Sequence, residues 1–173
     1  MHISSLITMH DFFREYLKPG DSILDVGSRL SGNDAPSYKD MLELTQIKAL
    51  YTGLDIEGGD NVDVVLEKPY EFPLIDACHD IVISGQMLEH CEFFWLTFKE
   101  MARVLKPGGY MCVIAPKLQK QHRFPVDCWR FQPDGMLALA KWAGIRCLSA
   151  TADHCNFTVM PNRVLDCVGV FQK

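Results

Sequence analysis

Two aspartates stand where short apolar runs meet glycine-containing turns, and this placement suits the binding of a nucleoside. Asp25 lies near the end of SILDV and is followed by Gly27, and Asp55 lies near the end of LYTGLDI, ahead of a second glycine-rich turn. A carboxylate accepts hydrogen bonds from paired hydroxyls and attracts an ammonium group. Either aspartate alone is typical of a helix cap or a turn. Their repetition at two successive strand ends favours a site for an adenosine-containing cofactor.

The loop after Asp25 discriminates between three such cofactors. GSRLSG has the outer glycine spacing of a P-loop, but Asn33 and Asp34 replace the required Lys and Ser/Thr, and an aspartate repels a triphosphate. A dinucleotide loop needs a glycine where this chain has Arg29, so a nicotinamide cofactor stays open only as a weaker alternative. S-adenosylmethionine needs no phosphate cradle. For that cofactor, Asp55 is placed to bind both ribose hydroxyls and Asp25 to position the ammonium of the methionine tail.

The elements that must position these residues alternate between strands and helices. Apolar periodicity and turn signals predict helices over 3–17, 36–50, 94–106 and 133–144. They predict strands over 22–26, 50–56, 62–66, 80–85, 110–116, 146–150 and 164–171, with a long loop over 117–132. This order indicates an α/β fold with a mostly parallel sheet covered by helices on both faces. Its ligand should bind beyond the carboxyl ends of the strands.

Composition restricts the classes of protein further. The 173 residues are 48% hydrophobic and are expected to form a single domain, 1–173. A formal net charge of −5 disfavours nucleic acid as a partner, because phosphate contacts need clustered Lys and Arg. The seven cysteines form no C-x-x-C pair, so no metal site is expected. Their pattern predicts free thiols and therefore a reducing, cytoplasmic location. Charged residues interrupt the N-terminal stretch, so neither a signal peptide nor a membrane span is expected there.

Five segments carry a family resemblance. They are ILDVGS, TGLDIEGGDNVDVVL, DIVISGQMLEH, FFWLTFKEMARVLKPGGYMCVIAP and HRFPVDCWRFQPDGMLALAKWAG. Together they resemble the class I S-adenosylmethionine-dependent methyltransferases, in particular the small methyltransferase domain proteins related to the ubiquinone-biosynthesis type. The resemblance implies a Rossmann-like, doubly wound sheet of seven strands with the last strand antiparallel. It also implies S-adenosylmethionine as the cofactor. The family's D-x-G-x-G-x-G motif has Arg29 and Ser31 here in place of its later glycines, so the arginine must point outward or the loop must take another path.

The same resemblance assigns residues to the cofactor site. Gly27 and Ser28 belong to the cofactor loop, and Gln86 should pass near the cofactor after the fourth strand. Ile56 is expected to pack on the adenine face, and Glu67 to approach the adenine amino group. Ile56 and Glu67 also fit ordinary core and surface positions.

Methyl transfer requires alignment and exclusion of water more than a fixed catalytic signature. His90, in a segment expected to begin the next helix, is a candidate general base because imidazole titrates near neutral pH. The alternative is that Glu89 and His90 form a structural pair that orients this helix. Ser84-Gly85-Gln86 stands where some family members have an N/D-P-P-Y/F box. Its absence disfavours a nucleic-acid base as the acceptor.

HRFPVDCWRF, within the loop after the fifth strand, is the second candidate cluster. In one interpretation His122 is a base that Asp127 orients. The loop also offers cations and a flat aromatic surface to an anionic acceptor such as a carboxylate or a phosphate-bearing sugar, carried by Arg123, Trp129 and Arg130. In the alternative interpretation Asp127 pairs with Arg130, and the aromatic residues pack under the next helix.

Three functional hypotheses follow. The first is an S-adenosylmethionine-dependent methyltransferase acting on a small-molecule or glycan-type acceptor at oxygen. The second is a non-catalytic binding or scaffold protein of the same fold, motivated by the variant glycine loop. The third, disfavoured by the incomplete glycine fingerprint, is a nicotinamide-dependent oxidoreductase. The Phe93-Phe94-Trp95 run falls at helical spacing and is therefore expected to belong to the core or to an interface, and an exposed part of it would form a homodimer contact.

Overall fold

A computed structural model describes residues 3–30, 32, 36–152 and 164–173. Ser31, Asn33, Asp34 and Cys155 lie outside the described residues. The described helices are α1 (Ile3–Tyr16), α2 (Tyr38–Thr45), α3 (Phe94–Val104) and α4 (Pro133–Ala143), with a 3₁₀ helix at Leu88–His90. The described strands are β1 (Ser22–Val26), β2 (Leu50–Asp55), β3 (Val64–Val65), β4 (His79–Gly85), β5 (Leu105–Leu118), β6 (Arg146–Ala152) and β7 (Leu165–Gln172).

The strands form one seven-stranded sheet in the order β3-β2-β1-β4-β5-β7-β6. Neighbouring strands from β3 to β5 are parallel, whereas β7 runs antiparallel to both of its neighbours, β5 and β6. The expected Rossmann-like, doubly wound sheet is confirmed, including the antiparallel last strand. The strand order reverses between β1 and β4, so the carboxyl ends of these two strands border the crevice where such folds bind ligands.

Helices cover both faces of the sheet because the central strands are apolar on both faces. Leu24 and Val82 pack on one face with Phe98 of α3. Their chain neighbours Ile23 and Ile81 belong to the opposite cluster, formed with α1 and α2. Successive side chains of a strand point to opposite faces, which explains the near-continuous apolar runs in the sequence.

The second helix is shorter than the predicted span of 36–50. Ser37 caps its start in a reciprocal arrangement, since its hydroxyl accepts a hydrogen bond from the Asp40 amide while the Asp40 side chain accepts one from the Ser37 amide. Gln46 follows the helix in the left-handed conformation, with φ of 61°. Capping at one end and a left-handed residue at the other therefore limit α2 to eight residues.

The boundary between α3 and β5 also differs from the prediction. Lys106 and the Pro107-Gly108-Gly109 sequence were expected to end the helix, but Val104 is its last residue. Leu105 already pairs with His79 of β4, and the next paired residue of β5 is Tyr110, which lies opposite Ile81. The residues between form a bulge within the strand, so the Pro-Gly-Gly sequence interrupts a strand and not a helix.

Two further segments differ from their predicted extents. The third strand keeps only Val64–Val65 of the predicted 62–66, and β5 continues to Leu118, into the predicted loop. The residues predicted to begin a helix before His90 instead form the separate 3₁₀ turn. Among the residues described, no helix is both long and apolar enough to cross a membrane.

Candidate functional site

Asp25 is part of a hydrogen-bonded network at the carboxyl end of β1. The residue is buried, and its carboxylate accepts a hydrogen bond from the Tyr51 hydroxyl. Asn61 donates from Nδ2 to that hydroxyl and to the Ser28 carbonyl, both at 3.1 Å. Because Tyr51 belongs to β2 and Asn61 to the turn before β3, these bonds connect the carboxyl end of β1 with β2 and with that turn.

Burial raises the pKa of Asp25 to about 7, with the Tyr51 hydrogen bond opposing the shift and the Asp55 charge adding to it. Aspartate in an unfolded chain titrates at about 3.9. Between these two values the folded protein holds a proton that the unfolded chain has lost. Its stability therefore falls as the pH rises through this window and becomes constant above the folded pKa.

We expect Asp25→Asn to remove this part of the pH dependence, because asparagine does not ionise. Between about pH 5 and about pH 8, the wild type should lose about 2 kcal/mol more unfolding free energy than the variant. Urea unfolding of both proteins at both pH values measures this difference, and groups that titrate identically in the two proteins cancel. Asp60→Asn, at an exposed position, is the control. If the difference in unfolding free energy between the wild type and Asp25→Asn stayed constant with pH, it would contradict a protonated, buried Asp25.

The turn after β1 requires glycine at position 27. Gly27 has φ of 83°, and a Cβ there would lie 2.4 Å from Cγ of Met87. The amides of Gly27 and Ser28 both donate to the Leu54 carbonyl, which holds the turn against β2. The Ser28 hydroxyl is buried and makes no hydrogen bond within the described part of the chain. A buried hydroxyl without a partner is a suitable contact for a ligand.

Asp55 ends β2 with both carboxylate oxygens at the edge of the crevice. Oδ2 accepts a hydrogen bond from the Arg29 amide at 3.1 Å, and Oδ1 accepts one from the Glu57 amide at 3.2 Å. Each oxygen of a carboxylate has two lone-pair sites, so both retain capacity for ribose hydroxyls. The Arg29 side chain points outward, with its guanidinium 2.7 Å from the Glu57 carboxylate. The bulky residue in the variant glycine loop is therefore held by an ion pair with the residue two positions after Asp55.

The other residues predicted to bind the cofactor lie near this edge of the sheet, and their side chains point in different directions. Ile56 directly follows Asp55 and is 52% exposed, which leaves an apolar surface beside the carboxylate. The Leu66 amide donates to the Asp55 carbonyl, so the exposed Glu67 follows close to Ile56. Gln86 follows β4, and its Nε2 donates to Asp166 of β7 at 2.9 Å. The Gln86 side chain is thus directed toward the carboxyl end of β5 and the amino end of the antiparallel β7.

His90 and His122 come together, although the sequence separates them by 32 positions. Their ring centroids are 4.8 Å apart, and the rings are nearly perpendicular. Glu89 is fully buried beside both rings, with Oε1 3.7 Å from His90 Nε2 and 3.9 Å from His122 Nε2. Burial lowers the pKa of His90, and burial raises the pKa of Glu89 to about 7. The sequence did not single out Glu89 as a functional residue, because an acidic residue in a short turn is common on protein surfaces.

Asp127 makes its strongest contact with Arg130, which agrees with the second of the two interpretations of this loop. Both guanidinium NH2 groups of Arg130 donate to the carboxylate, at 2.5 and 2.9 Å. These bonds lower the pKa of Asp127. Asp127 also accepts a hydrogen bond from the His122 amide at 2.7 Å, but the His122 Nδ1 atom is 3.7 Å away. Asp127 therefore holds the backbone of His122 and not its imidazole.

Trp129 and Arg130 also line an aromatic cavity of about 460 Å³ between α3, α4 and the end of the loop that precedes α4. The Trp129 indole donates to the Cys91 carbonyl at 2.9 Å, and its ring lies 5.2 Å from that of Phe94. Trp95 and Trp142 contribute further rings to the lining. Phe94 and Trp95 thus line a cavity, which the prediction of a purely core or interface role did not include. Arg123 is exposed on the same loop.

Two supporting residues of the site were not identified from the sequence. Tyr51 was assigned only to a strand, yet its hydroxyl contacts Asp25. Tyr38, at the start of α2, fills the space over the end of β4, where a Cβ on Gly85 would lie 1.8 Å from its hydroxyl. Both contacts join segments distant in the chain, so local spacing contained no signal for them.

Comparison with known proteins agrees with this geometry. A family model described as "Methyltransferase domain" matches residues 24–113, just over half of the 173-residue chain. A curated relative from Mycolicibacterium smegmatis, named as a probable S-adenosylmethionine-dependent methyltransferase, is 33% identical over 96 residues, 56% of this chain and 33% of the relative. The 27-O-demethylrifamycin SV methyltransferase of Amycolatopsis mediterranei is 28% identical over 112 residues, 56% of this chain and 39% of that protein. The match thus spans between a third and two fifths of the length of these relatives.

Among solved structures, the 1,6-didemethyltoxoflavin-N1-methyltransferase of Burkholderia thailandensis superposes with a TM-score of 0.71 at 12% identity. The match covers 98% of this chain and 78% of that one, whose structure contains 1,6-didemethyltoxoflavin and S-adenosylhomocysteine. At this identity the likeness concerns the fold alone. The match to the family model includes β1, β2, β4 and most of β5, with Asp25 and Asp55 at their strand ends. The chain belongs to the methyltransferase domain family, the class I S-adenosylmethionine-dependent methyltransferases.

Proposed function

We propose that this protein transfers the methyl group of S-adenosylmethionine to an oxygen atom of a small-molecule or glycan-type acceptor. The observation that carries the proposal is the pair of carboxylates at neighbouring strand ends, Asp25 and Asp55, on either side of the Gly27 turn. Their separation across adjacent parallel strands allows one molecule to contact both. Membership of the methyltransferase domain family makes S-adenosylmethionine the cofactor.

The described residues fit each part of this cofactor. Asp55 has free acceptor capacity for the ribose hydroxyls, and the exposed face of Ile56 offers an apolar surface to adenine. Glu67 is placed to accept a hydrogen bond from the adenine amino group. Asp25 faces the methionine end, where an ammonium group would stabilise its ionised form. The buried Ser28 hydroxyl and the backbone of Gly27 complete the loop side of the pocket.

The acceptor would bind beyond β4 and β5, against the loop that carries His122. The cofactor supplies a methyl group already activated on a sulfonium. The chain's residues must therefore align the acceptor oxygen and take up its proton. In this proposal His90 and His122 would remove the proton, and Trp129, Arg130 and Arg123 would hold the acceptor. Oxygen is supported by the curated relative whose printed name specifies a 27-O position.

The two alternative functions receive less support. A scaffold role was motivated by the bulk of Arg29, whose side chain is partly exposed and pairs with Glu57. A nicotinamide cofactor lacks the glycine that its pyrophosphate requires at that same position. The acidic net charge of −5 argues against nucleic acid as an acceptor. A homodimer contact remains a prediction, and the 47% exposed Phe93 is the residue that would support it.

The test is methyl transfer from S-adenosylmethionine to matched acceptor pairs that differ only in the nucleophile, such as a phenol with its aniline and a sugar with its amino sugar. We expect formation of S-adenosylhomocysteine and a methylated product with the hydroxyl member of a pair. Mass spectrometry identifies the product, and omission of the protein is the control. Methylation of the amine members alone would overturn the assignment to oxygen. Binding of NADH without binding of S-adenosylmethionine would favour the oxidoreductase instead.

A further inference from the structure

Glu89 is a buried carboxylate that no described hydrogen-bond donor satisfies. Its side chain is 0% exposed, and neither Oε1 nor Oε2 has a hydrogen-bond partner within the described residues. A buried carboxylate without a partner is costly, and native proteins normally pair such groups or use them to bind a ligand. Arg130, whose charge acts on Glu89, donates its hydrogen bonds to Asp127 and to backbone carbonyls instead. The carboxylate thus lacks the partner that its burial demands.

Two imidazoles face this carboxylate with the same ring nitrogen. Nε2 of His90 and Nε2 of His122 lie 3.7 and 3.9 Å from Glu89 Oε1. The opposite nitrogens contact backbone carbonyls, His90 Nδ1 at 2.6 Å from Val126 and His122 Nδ1 at 3.2 Å from Lys120. A carbonyl oxygen only accepts, so in each neutral ring the hydrogen is on Nδ1. Each Nε2 therefore presents a lone pair, which explains why neither ring donates to Glu89.

We propose that Glu89, His90 and His122 form a binding site for a divalent transition-metal ion, with Zn²⁺ or Co²⁺ as suitable occupants. The three ligand atoms lie within 4.8 Å of one another. Two imidazole nitrogens and one carboxylate are a ligand set used by catalytic zinc sites and by non-haem iron(II) sites. Three protein ligands leave at least one coordination position open.

The surroundings support metal binding in two ways. The backbone carbonyls on each Nδ1 are the outer contacts that usually orient metal-binding imidazoles. Ligands around a tetrahedral ion stand about 3.3 Å apart for bonds near 2 Å. The observed ligand atoms, which lie within 4.8 Å of one another, must therefore approach by between about 0.4 and about 1.5 Å. His122 can provide this movement, because its side chain is 37% exposed and lies on the loop after β5.

A bound ion would change the chemistry of this side of the crevice. Neither ring could then accept a proton at Nε2, and an acceptor hydroxyl that coordinates the ion at its open position becomes more acidic. This role, unlike the site itself, rests on the proposed methyl transfer. The test below contains neither cofactor nor acceptor, so its failure is distinguishable from a failure of the proposed function.

The experiment is titration of the untagged, chelator-treated protein with Zn²⁺ by calorimetry and with Co²⁺ by visible absorption. We expect binding of one equivalent with a dissociation constant in the micromolar range or below. His122→Ala and Glu89→Gln should each weaken it at least 10-fold. The control is His10→Ala, because His10 lies on α1 and outside the cluster. The Co²⁺ spectrum should lack a thiolate-to-metal charge-transfer band, which excludes binding through the cysteines.

The thermal transition of each variant without metal shows whether it folds. If Glu89→Gln does not fold, His122→Ala still provides the test, because His122 is a partly exposed loop residue. Saturating Zn²⁺ should raise the transition temperature of the wild type but not that of His122→Ala. Failure of the wild type to bind either ion would overturn the proposal. So would equal affinity and stoichiometry in the wild type and His122→Ala, or a Co²⁺ spectrum dominated by thiolate.

Discussion

Replacing Asp55 by alanine is expected to weaken S-adenosylmethionine binding about 100-fold. The carboxylate lies at the end of β2, and each of its oxygens accepts one backbone hydrogen bond and retains a further lone-pair site. Hydrogen bonds from hydroxyls to a charged acceptor each contribute about 1.5–3 kcal/mol. At the lower end of this range two such bonds contribute about 3 kcal/mol, which corresponds to about two orders of magnitude in the dissociation constant.

Calorimetric titration with S-adenosylmethionine and S-adenosylhomocysteine measures this loss. Both molecules carry the same ribose, so Asp55→Ala should weaken both by a similar factor. Asp60→Ala is the matched control, because it removes an exposed carboxylate from the following turn and should leave both affinities within about twofold.

Asp55→Asn separates the effect of charge from the effect of the loop. Asparagine keeps one oxygen for the backbone amides of Arg29 and Glu57, but it can accept only part of the ribose contact. We expect its affinity to lie between those of the wild type and Asp55→Ala. If Asp55→Ala bound both molecules within threefold of the wild type, the ribose contact would have to be made elsewhere.

Replacing Gly53 by alanine is expected to cause the largest loss of stability among the single substitutions considered. A Cβ at this position would lie 1.9 Å from the Asn61 carbonyl oxygen and 2.6 Å from the Ser28 hydroxyl. The first contact is with backbone, which cannot rotate away as the end of a side chain can. The turn before β3 must therefore move, and with it the Asn61 amide that holds Tyr51 against Asp25.

Overpacking in a well-ordered core typically lowers the free energy of unfolding by about 1–3 kcal/mol. Because the added methyl group contacts backbone, we expect Gly53→Ala to lower it by about 3 kcal/mol or more. Urea unfolding measures the change in the free energy of unfolding. We also expect weaker S-adenosylmethionine binding in the folded fraction, because the Asp25 network lies at the methionine end of the proposed pocket.

Gly135→Ala is the matched control for the added methyl group. Gly135 lies in the first turn of α4, and a Cβ there would meet nothing within 4 Å. Alanine favours the helix, so stability should stay the same or rise by about 0.5 kcal/mol. A loss at Gly53 no larger than the change at Gly135 would show that the turn before β3 adapts to the extra volume.

The sequence by itself determined the strands of the sheet and the residues at their ends. The apolar runs around Ile23 and Ile81 predicted buried parallel strands because both faces of such strands are covered. Asp25 and Asp55 could be assigned to one edge because parallel strands place their carboxyl ends together. The possible pairing of Asp127 with Arg130 was also visible, since the residues are three positions apart in the chain.

Only the tertiary structure decided the contacts between distant segments. Glu89 meets His122 because the loop after β5 folds back over the end of β4, and no local spacing relates these positions. The requirement for glycine at 53 arises from the approach of Asn61, not from the conformation of Gly53 itself. Likewise, α3 ends at Val104 because Leu105 pairs with β4. Local preferences act between neighbours in the chain, whereas these features depend on which segments meet in the folded protein.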